Sequence, residues 1–235
     1  MRIGTAGWTL PKPVRDRFPG AGSQLERYAA VFAGVEINSS FYRPHRPATY
    51  RRWAEAVPAG FRFSVKMPRT VTHLRRLVDC GELVDDFLVE SGALGEKRDV
   101  VLVQLPPSLG YDEAIAAAFF DDVRARYNGA LVCEPRHASW FAAEPNAMLA
   151  AHRVARVAAD PAVVPAAADP GGWPDLVYVR LHGSPHIYAS SYDDGRLGGI
   201  AAMLRAARGD AWCIFDNTRS GAATADALAL LAAQP

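Results

Sequence analysis

Eight short apolar runs recur along this chain of 235 residues, and stretches with helical spacing separate most of them. The runs lie at 2–6, 35–38, 61–65, 100–105, 130–134, 154–159, 176–182 and 211–216. Each has the length and β-branched content of a strand. Their alternation with helical stretches predicts repeated βα units and an α/β fold. The connections are lopsided. From helix to strand the chain needs only a few residues, as at Pro58-Ala59-Gly60, Tyr127-Asn128-Gly129 and Gly209-Asp210. From strand to helix it wanders through 8–22, 39–46, 66–81 and 182–195. Long loops at one end and short ones at the other predict a TIM-barrel-like (β/α)8 domain over 1–235, with its working face at the C-terminal strand ends.

Local signals agree. Ser23 followed by Glu26 is a capping box opening a helix over about 23–33, and Gly34 ends it. Pro47 suits the first turn of a second helix, which Pro58 stops. A third is expected over 82–94. Asp112 caps a fourth, in which Ile115, Phe119, Val123 and Tyr127 form one apolar stripe. Others are expected over 144–152, 197–207 and 222–232. The sixth unit is degenerate. Pro161, Pro165, Pro170, Gly171, Gly172 and Pro174 predict an irregular crossover rather than a helix. An open doubly wound sheet is the alternative, and no glycine-rich phosphate fingerprint follows the first run to favour it.

Half the residues are hydrophobic, and no apolar stretch is long enough to span a bilayer. A strand is expected straight after Met1, and with it no signal peptide. Cys80, Cys133 and Cys213 lack CxxC spacing and read as small hydrophobes. A cytoplasmic protein without a membrane partner is expected. The net charge is +1, so the whole molecule steers neither acids nor bases. Its distribution says more. Arg43, Lys66, Arg69, His73, Arg75, Arg76, Arg136, His137, Arg180, His182 and His186 all fall at or after strand ends, while acids such as Glu82, Asp85, Asp86 and Glu90 crowd helical stretches. A basic barrel mouth favours an anionic ligand.

The strand tips carry the chemistry. Glu36 and Asn38 share one side of the second run, where Glu36 is either an acid/base group or the partner of a deeper arginine. Lys66 ends the third run, with His73 after it. It suits a phosphate or a carboxylate partner, and a Schiff base only if desolvated. Gln104 offers a two-sided amide above Pro106-Pro107. Glu134-Pro135-Arg136-His137 with Trp140 brings an acid, a guanidinium, an imidazole and an aromatic together, with Glu134 as general acid or base and Arg136 as an anion clamp. Asp160 ends the sixth run. Tyr178, Arg180 and His182 share a face of the seventh, and Asp216-Asn217 end the eighth. Arginines and a lysine in the same ring oppose a metal, and no HExxH, P-loop or GxSxG motif occurs. No metal ligands are assigned, and the sequence names no cofactor.

In order, Gly4-Thr5-Ala6-Gly7-Trp8, Glu36-Ile37-Asn38-Ser39-Ser40-Phe41-Tyr42, Phe63-Ser64-Val65-Lys66 with Thr72-His73, Gln104-Leu105-Pro106-Pro107-Ser108, Glu134-Pro135-Arg136-His137, Arg180-Leu181-His182-Gly183 and Phe215-Asp216-Asn217-Thr218 resemble the YecE-like family, domain-of-unknown-function family 72. The resemblance spans nearly the whole chain. It implies a TIM-barrel-like fold and no established reaction. Many members carry Asn-Asn where this chain has Asp216-Asn217.

The expected function is acid/base chemistry, hydrolysis or isomerisation, on an anionic, phosphate-bearing small molecule. The catalytic candidates are Glu36, Lys66, Glu134, His182 and Asp216. The binding candidates are Trp8, Asn38, Tyr42, Arg43, His73, Gln104, Arg136, His137, Trp140, Asp160, Arg180, Tyr192 and Asn217, with Trp8, Tyr42, Trp140 and Tyr192 as stacking surfaces. Nucleic-acid binding with metal-dependent phosphodiester cleavage is the second reading, since the loop 66–76 is basic. A non-catalytic ligand-binding module is the third. The oligomeric state is not specified by these patterns.

Overall fold

A computed structural model describes residues 1–233. Its elements run β1 (Arg2–Thr5), α1 (Gln24–Ala29), β2 (Gly34–Ile37), α2 (Pro47–Glu55), β3 (Arg62–Lys66), α3 (Gly81–Gly92), β4 (Arg98–Gln104), α4 (Glu113–Arg126), β5 (Ala130–Glu134), α5 (Ala143–Ala151), β6 (Val154–Arg156), β7 (Ala158–Asp160), β8 (Gly171–Gly172), β9 (Leu176–Leu181), α6 (Asp194–Arg205), β10 (Asp210–Phe215) and α7 (Ala222–Ala232).

Side-chain caps set several helix starts. Ser23 and Glu26 satisfy each other's backbone N–H groups ahead of α1, and Asp112 accepts from the Ile115 N–H ahead of α4. Helix α1 is shorter than its sequence pattern, ending at Ala29. The buried stripe of α4 is Ala116, Phe119, Phe120 and Val123, and Ile115 is exposed. The pattern of four-residue steps drifts off the true 3.6-residue period, which turns its first member outward. Between β7 and β9 the chain forms a short turn at Pro165–Ala168 and the two-residue β8, with no α-helix.

The strands form two sheets, ordered β1-β10-β9-β7 and β2-β3-β4-β5-β6-β8, in which every pairing is parallel except β6 with β8. The α/β, parallel expectation holds, but the strand ladder does not close as one hydrogen-bonded barrel. It is interrupted at two seams. At the first, β1 and β2 meet through a single bridge between Ala6 and Glu36. There the Tyr28 phenol from α1 substitutes for the ladder, accepting from the Thr5 N–H at 2.9 Å and donating to the Gly34 carbonyl at 3.2 Å. Glycine is required at this seam. A Cβ on Gly4 would lie 2.2 Å from the Gly34 carbonyl oxygen, and one on Gly34 would lie 2.8 Å from the Trp212 ring. At the second seam the run 154–159 changes partners at Val157, pairing with β5 before it and with β9 after it.

Strand alternation divides the apolar side chains into two clusters. One includes Val35, Val65, Val103, Leu131, Val179 and Cys213, together with helix residues such as Phe119 and Ala227. The other gathers Leu102, Val132, Ala155, Tyr178, Trp212 and Ile214. Strands buried on both faces account for the near-continuous apolar runs in the sequence. Because the strands run parallel, the polar residues at their C-terminal tips gather at one end. Among the described residues no helix is long and apolar enough to cross a membrane.

Candidate functional site

Arg180, near the end of β9, is fully buried and has a partner for each of its three nitrogens. Nε donates to Glu36 Oε2 at 3.0 Å, Nη2 to Glu36 Oε1 at 2.8 Å and to Asp216 Oδ2 at 3.0 Å, and Nη1 to Glu134 Oε2 at 2.6 Å. Strands β2, β5, β9 and the residue after β10 thus converge on one guanidinium. Tyr178, one turn of the pleat below, donates to Glu36 Oε2 at 3.0 Å. His182 bridges two of these carboxylates, with Nε2 3.0 Å from Glu134 Oε1 and Nδ1 3.1 Å from Asp216 Oδ2, the oxygen that Arg180 also reaches. Arg136 Nε donates to Glu134 Oε1 at 2.9 Å, and Gln104 Nε2 donates to Glu134 Oε2 at 3.0 Å.

Charge states follow from this packing. Burial pushes the Glu134 carboxyl up, but Arg180, Arg136 and His182 outweigh it and hold the group well below the usual carboxylate range. Burial likewise opposes Asp216, and Arg180 and His182 outweigh it and lower it. Burial disfavours charge on His182, yet Glu134 and Asp216 raise its pKa. Glu134 is therefore a locked carboxylate rather than a group that exchanges protons near neutral pH. The guanidinium of Arg180 occupies the centre where a cation bound by Glu36, Glu134 and Asp216 would sit. Among the described residues no group of three or more His, Cys, Asp or Glu side chains is placed to hold a metal ion.

Above this cluster opens a cavity of about 470 Å3, lined by Asn38, Phe41, Tyr42, Lys66, Arg69, His73, Gln104, Arg136, Tyr188, Asp216 and Thr218. Lysine, two arginines and a histidine face one carboxylate there. Lys66, at the tip of β3, is only 4% exposed. Its Nζ donates to Asn38 Oδ1 at 3.1 Å and lies 4.1 Å from the centre of the Phe41 ring. No carboxylate of the described residues forms an ion pair with it. Burial, with Arg180 adding to it and Glu36, Glu134 and Asp216 opposing it, lowers its pKa to about 8. Burial and then Lys66, Arg136 and Arg69 lower His73.

The sequence candidates thus divide. Asn38, Tyr42, Lys66, His73, Gln104, Arg136 and Asp216 line the mouth, and Glu134 and His182 line an adjoining pocket. Arg180 and Glu36 are paired with each other, the second of the two alternatives for Glu36, and Arg180, expected to bind an anion, instead has carboxylate partners on all three nitrogens. Trp140 is buried and donates to the Leu109 carbonyl at 3.0 Å, so it offers no stacking face. Tyr192 is buried too, its hydroxyl accepting from the Gly183 N–H at 2.7 Å. Asn217 donates to the Ser190 carbonyl and Asp226. Asp160 turns to Arg196 and Tyr192. Trp8 packs edge-to-face on Trp53, and His137 caps its own turn through the Ser139 N–H. Arg43 is exposed beside a separate cavity shared with Asp86 and Glu90. Sequence reasoning passed over Phe41, Arg69, Tyr188 and Thr218 as site residues. Arg69 was visible as one of the basic residues after a strand, whereas nothing in the pattern around Tyr188 marks it.

Comparison with known proteins agrees with the fold and the motifs. The family model described as protein of unknown function DUF72 matches residues 2–234. The UPF0759 protein YecE of Escherichia coli K12 is 34% identical over 141 residues, 60% of this chain and 50% of that protein, and its counterpart in strain O157:H7 matches equally. The chain spans about half the length of the curated relatives it matches. A DUF72 family protein of Enterococcus faecalis V583 superposes with a TM-score of 0.80 at 20% identity, covering 100% of this chain and 96% of that one. A DUF72 family protein of Thermotoga maritima MSB8 gives 0.79 at 23% identity, covering 98% and 97%. With a family match over nearly its whole length, the chain belongs to the DUF72 family.

Proposed function

We propose that this chain is a single-domain, cytoplasmic, TIM-barrel-like protein whose strand-tip mouth binds an anionic, phosphate-bearing small molecule and acts on it by acid/base chemistry. One observation carries the reading. Lys66 is a buried ammonium that faces a cavity with an amide and an aromatic ring as its partners and no carboxylate paired to it. A buried cation whose carboxylates, Glu36, Glu134 and Asp216, act on it without a direct ion pair is costly. An anionic ligand beside Lys66, Arg69, His73 and Arg136 supplies a direct partner. With its pKa lowered to about 8, Lys66 can also give up and regain a proton near neutral pH, which suits a general acid or base. Asp216, in the wall of this cavity, and His182, bonded to it from the adjoining pocket, orient and charge the site.

Calorimetric titration with inorganic phosphate tests this. Saturable binding is expected, weakened about 10- to 100-fold by Lys66→Met, the worth of one hydrogen bond to a charged group. Equal binding by that variant, or none by the wild-type chain, removes the reading.

A nucleic-acid backbone is a second reading, favoured by Tyr42. Its ring is 67% exposed beside Arg69, the arrangement of a stacking face next to phosphate contacts. Single-stranded DNA binding that falls steeply with salt would favour it over a small molecule.

A further inference from the structure

The mouth has a second chamber. A pocket of about 340 Å3 opens beside the cationic cavity and shares Arg136 and Tyr188 with it. Its walls come from four strand-tip loops. Pro107 follows β4, Pro135 follows β5, Pro161, Val163 and Ala167 follow β7, and Ile187 follows β9. Its polar members are Glu134, Arg136, His182 and Tyr188. The first three are already bonded to one another, with Glu134 Oε1 2.9 Å from Arg136 Nε and 3.0 Å from His182 Nε2. The pocket therefore presents apolar walls over an internally satisfied floor. Such a surface gains from apolar burial and offers little to a second charge.

Two of those walls are large apolar side chains left half in water. Val163 is 51% exposed and Ile187 is 50% exposed, and they reach the same space from different loops. They stand beside the cationic chamber, with Arg136 at the divide. A pocket of this size with mostly apolar walls and a few placed polar groups is the usual form of a small-molecule site.

We infer that the ligand is amphipathic: a phosphate-type anionic head against Lys66 and Arg136, and a compact aliphatic or aromatic group seated among Pro107, Pro135, Pro161, Val163 and Ile187. This rests on the anion-binding reading above and adds the chemistry of the rest of the molecule. Arg136 is the hinge of the recognition. Its Nε is committed to Glu134, while its outer nitrogens make only long contacts, Nη1 with the Tyr188 hydroxyl at 3.5 Å and Nη2 with His182 Nε2 at 3.4 Å, which a head group at the border of the two chambers would replace. A sugar phosphate, with hydroxyls on every carbon, would leave those hydroxyls unpaired against proline and valine, so an apolar ester is preferred over a polyol ester.

The test is calorimetry on the full chain with inorganic phosphate, ethyl, butyl, hexyl and glycerol phosphates, and hexanol. Affinity is expected to rise about threefold to fourfold per methylene along the alkyl series until the pocket is filled. Glycerol phosphate should bind no better than ethyl phosphate. In Val163→Ser/Ile187→Ser, both half-exposed positions that tolerate a polar side chain, the ratio of hexyl phosphate to inorganic phosphate affinity should fall towards one. If phosphate binds but chain length changes nothing, the second chamber is not part of the site, and the anion reading survives alone. If hexanol binds as tightly as hexyl phosphate, the two-part ligand is wrong because the head contributes nothing. If neither phosphate nor its esters bind, both readings fall together.

Discussion

Arg180 and Lys66 are both buried cations at the same end of the molecule, and they behave as opposites. Arg180 is bonded by Glu36, Glu134 and Asp216 from three other strands or strand ends. Lys66 has Asn38 and the face of Phe41. The first is a closed account of charge. The planar fork of arginine matches several carboxylates at once, and the low dielectric that makes each contact strong leaves nothing over for a ligand. The second is open on the cavity side. The difference separates a cluster that fixes where strands converge from one that can recognise something, although a charged residue at a strand tip marks both equally in the sequence.

The contrast can be broken most forcefully at Arg180. Arg180→Met strands three buried carboxylates and should cost about 3–5 kcal/mol in urea unfolding. Arg180→Lys should fail to restore stability, because an ammonium cannot reproduce the fork. A small loss would mean that the cluster is not what holds these strand tips together.

At Lys66 the pattern should invert, with ligand affinity falling about 10- to 100-fold in Lys66→Met while stability holds or rises. The pH dependence sharpens this. The folded pKa is about 8 against an ordinary 10.5, so between those values the unfolded chain binds more protons. Stability should therefore climb as pH rises from about 8 to 10.5, and that climb should shrink in Lys66→Met. A profile shared by the two proteins would contradict a desolvated ammonium.

His182 gives a smaller effect of the other sign. Its folded pKa lies above the ordinary 6.5 because two carboxylates outweigh burial. Its contribution is fully present below pH 6.5 and is lost as pH rises through the folded value, a decline that His182→Gln should flatten in thermal unfolding curves. Glu134 and Asp216, both lowered, contribute stability above the ordinary carboxylate range that falls away in acid.

The smallest changes lie outside both regions. Trp140→Phe should cost about 1 kcal/mol by leaving the Leu109 carbonyl unpaired, without moving phosphate affinity. Arg43→Ala, exposed and beside another cavity, should alter that affinity by no more than about twofold, since solvent and salt screen it.

Much of this architecture is legible in the residues. All eight apolar runs contain strands, the capping box at Ser23 and the cap at Asp112 form as expected, and the proline- and glycine-rich stretch after Asp160 carries a single 3-10 turn and no α-helix. These are local patterns, set by neighbours within a few positions. What depends on distant partners is not legible. Nothing near Arg180 says that Glu36, 144 positions away, will saturate it. Nothing near Tyr28 says that its phenol will fill a gap between two strands. Strand alternation turns Tyr178, Arg180 and His182 inward, but whether a polar tip faces a cavity or a neighbour depends on the loop above it. Trp140, Tyr192 and Asn217 read as binding groups by type, yet each is taken up in hydrogen bonds that hold the strand-tip loops, Trp140 to Leu109, Tyr192 to Gly183 and Asn217 to Ser190. Tyr188 lies in the long loop after β9 with no pattern around it, and it lines both chambers of the mouth.

The open charge at Lys66 is best probed with sulfate, a phosphate-shaped dianion whose own charge stays constant, titrated by calorimetry from pH 6 to 10 in the wild-type chain and in Lys66→Met. The wild-type affinity should drop through a midpoint near the Lys66 value of about 8, and the variant should bind weakly with that step absent. Sulfate binding that is equally strong in both proteins, with the same pH profile, would show that Lys66 is not the group that draws an anion into this mouth.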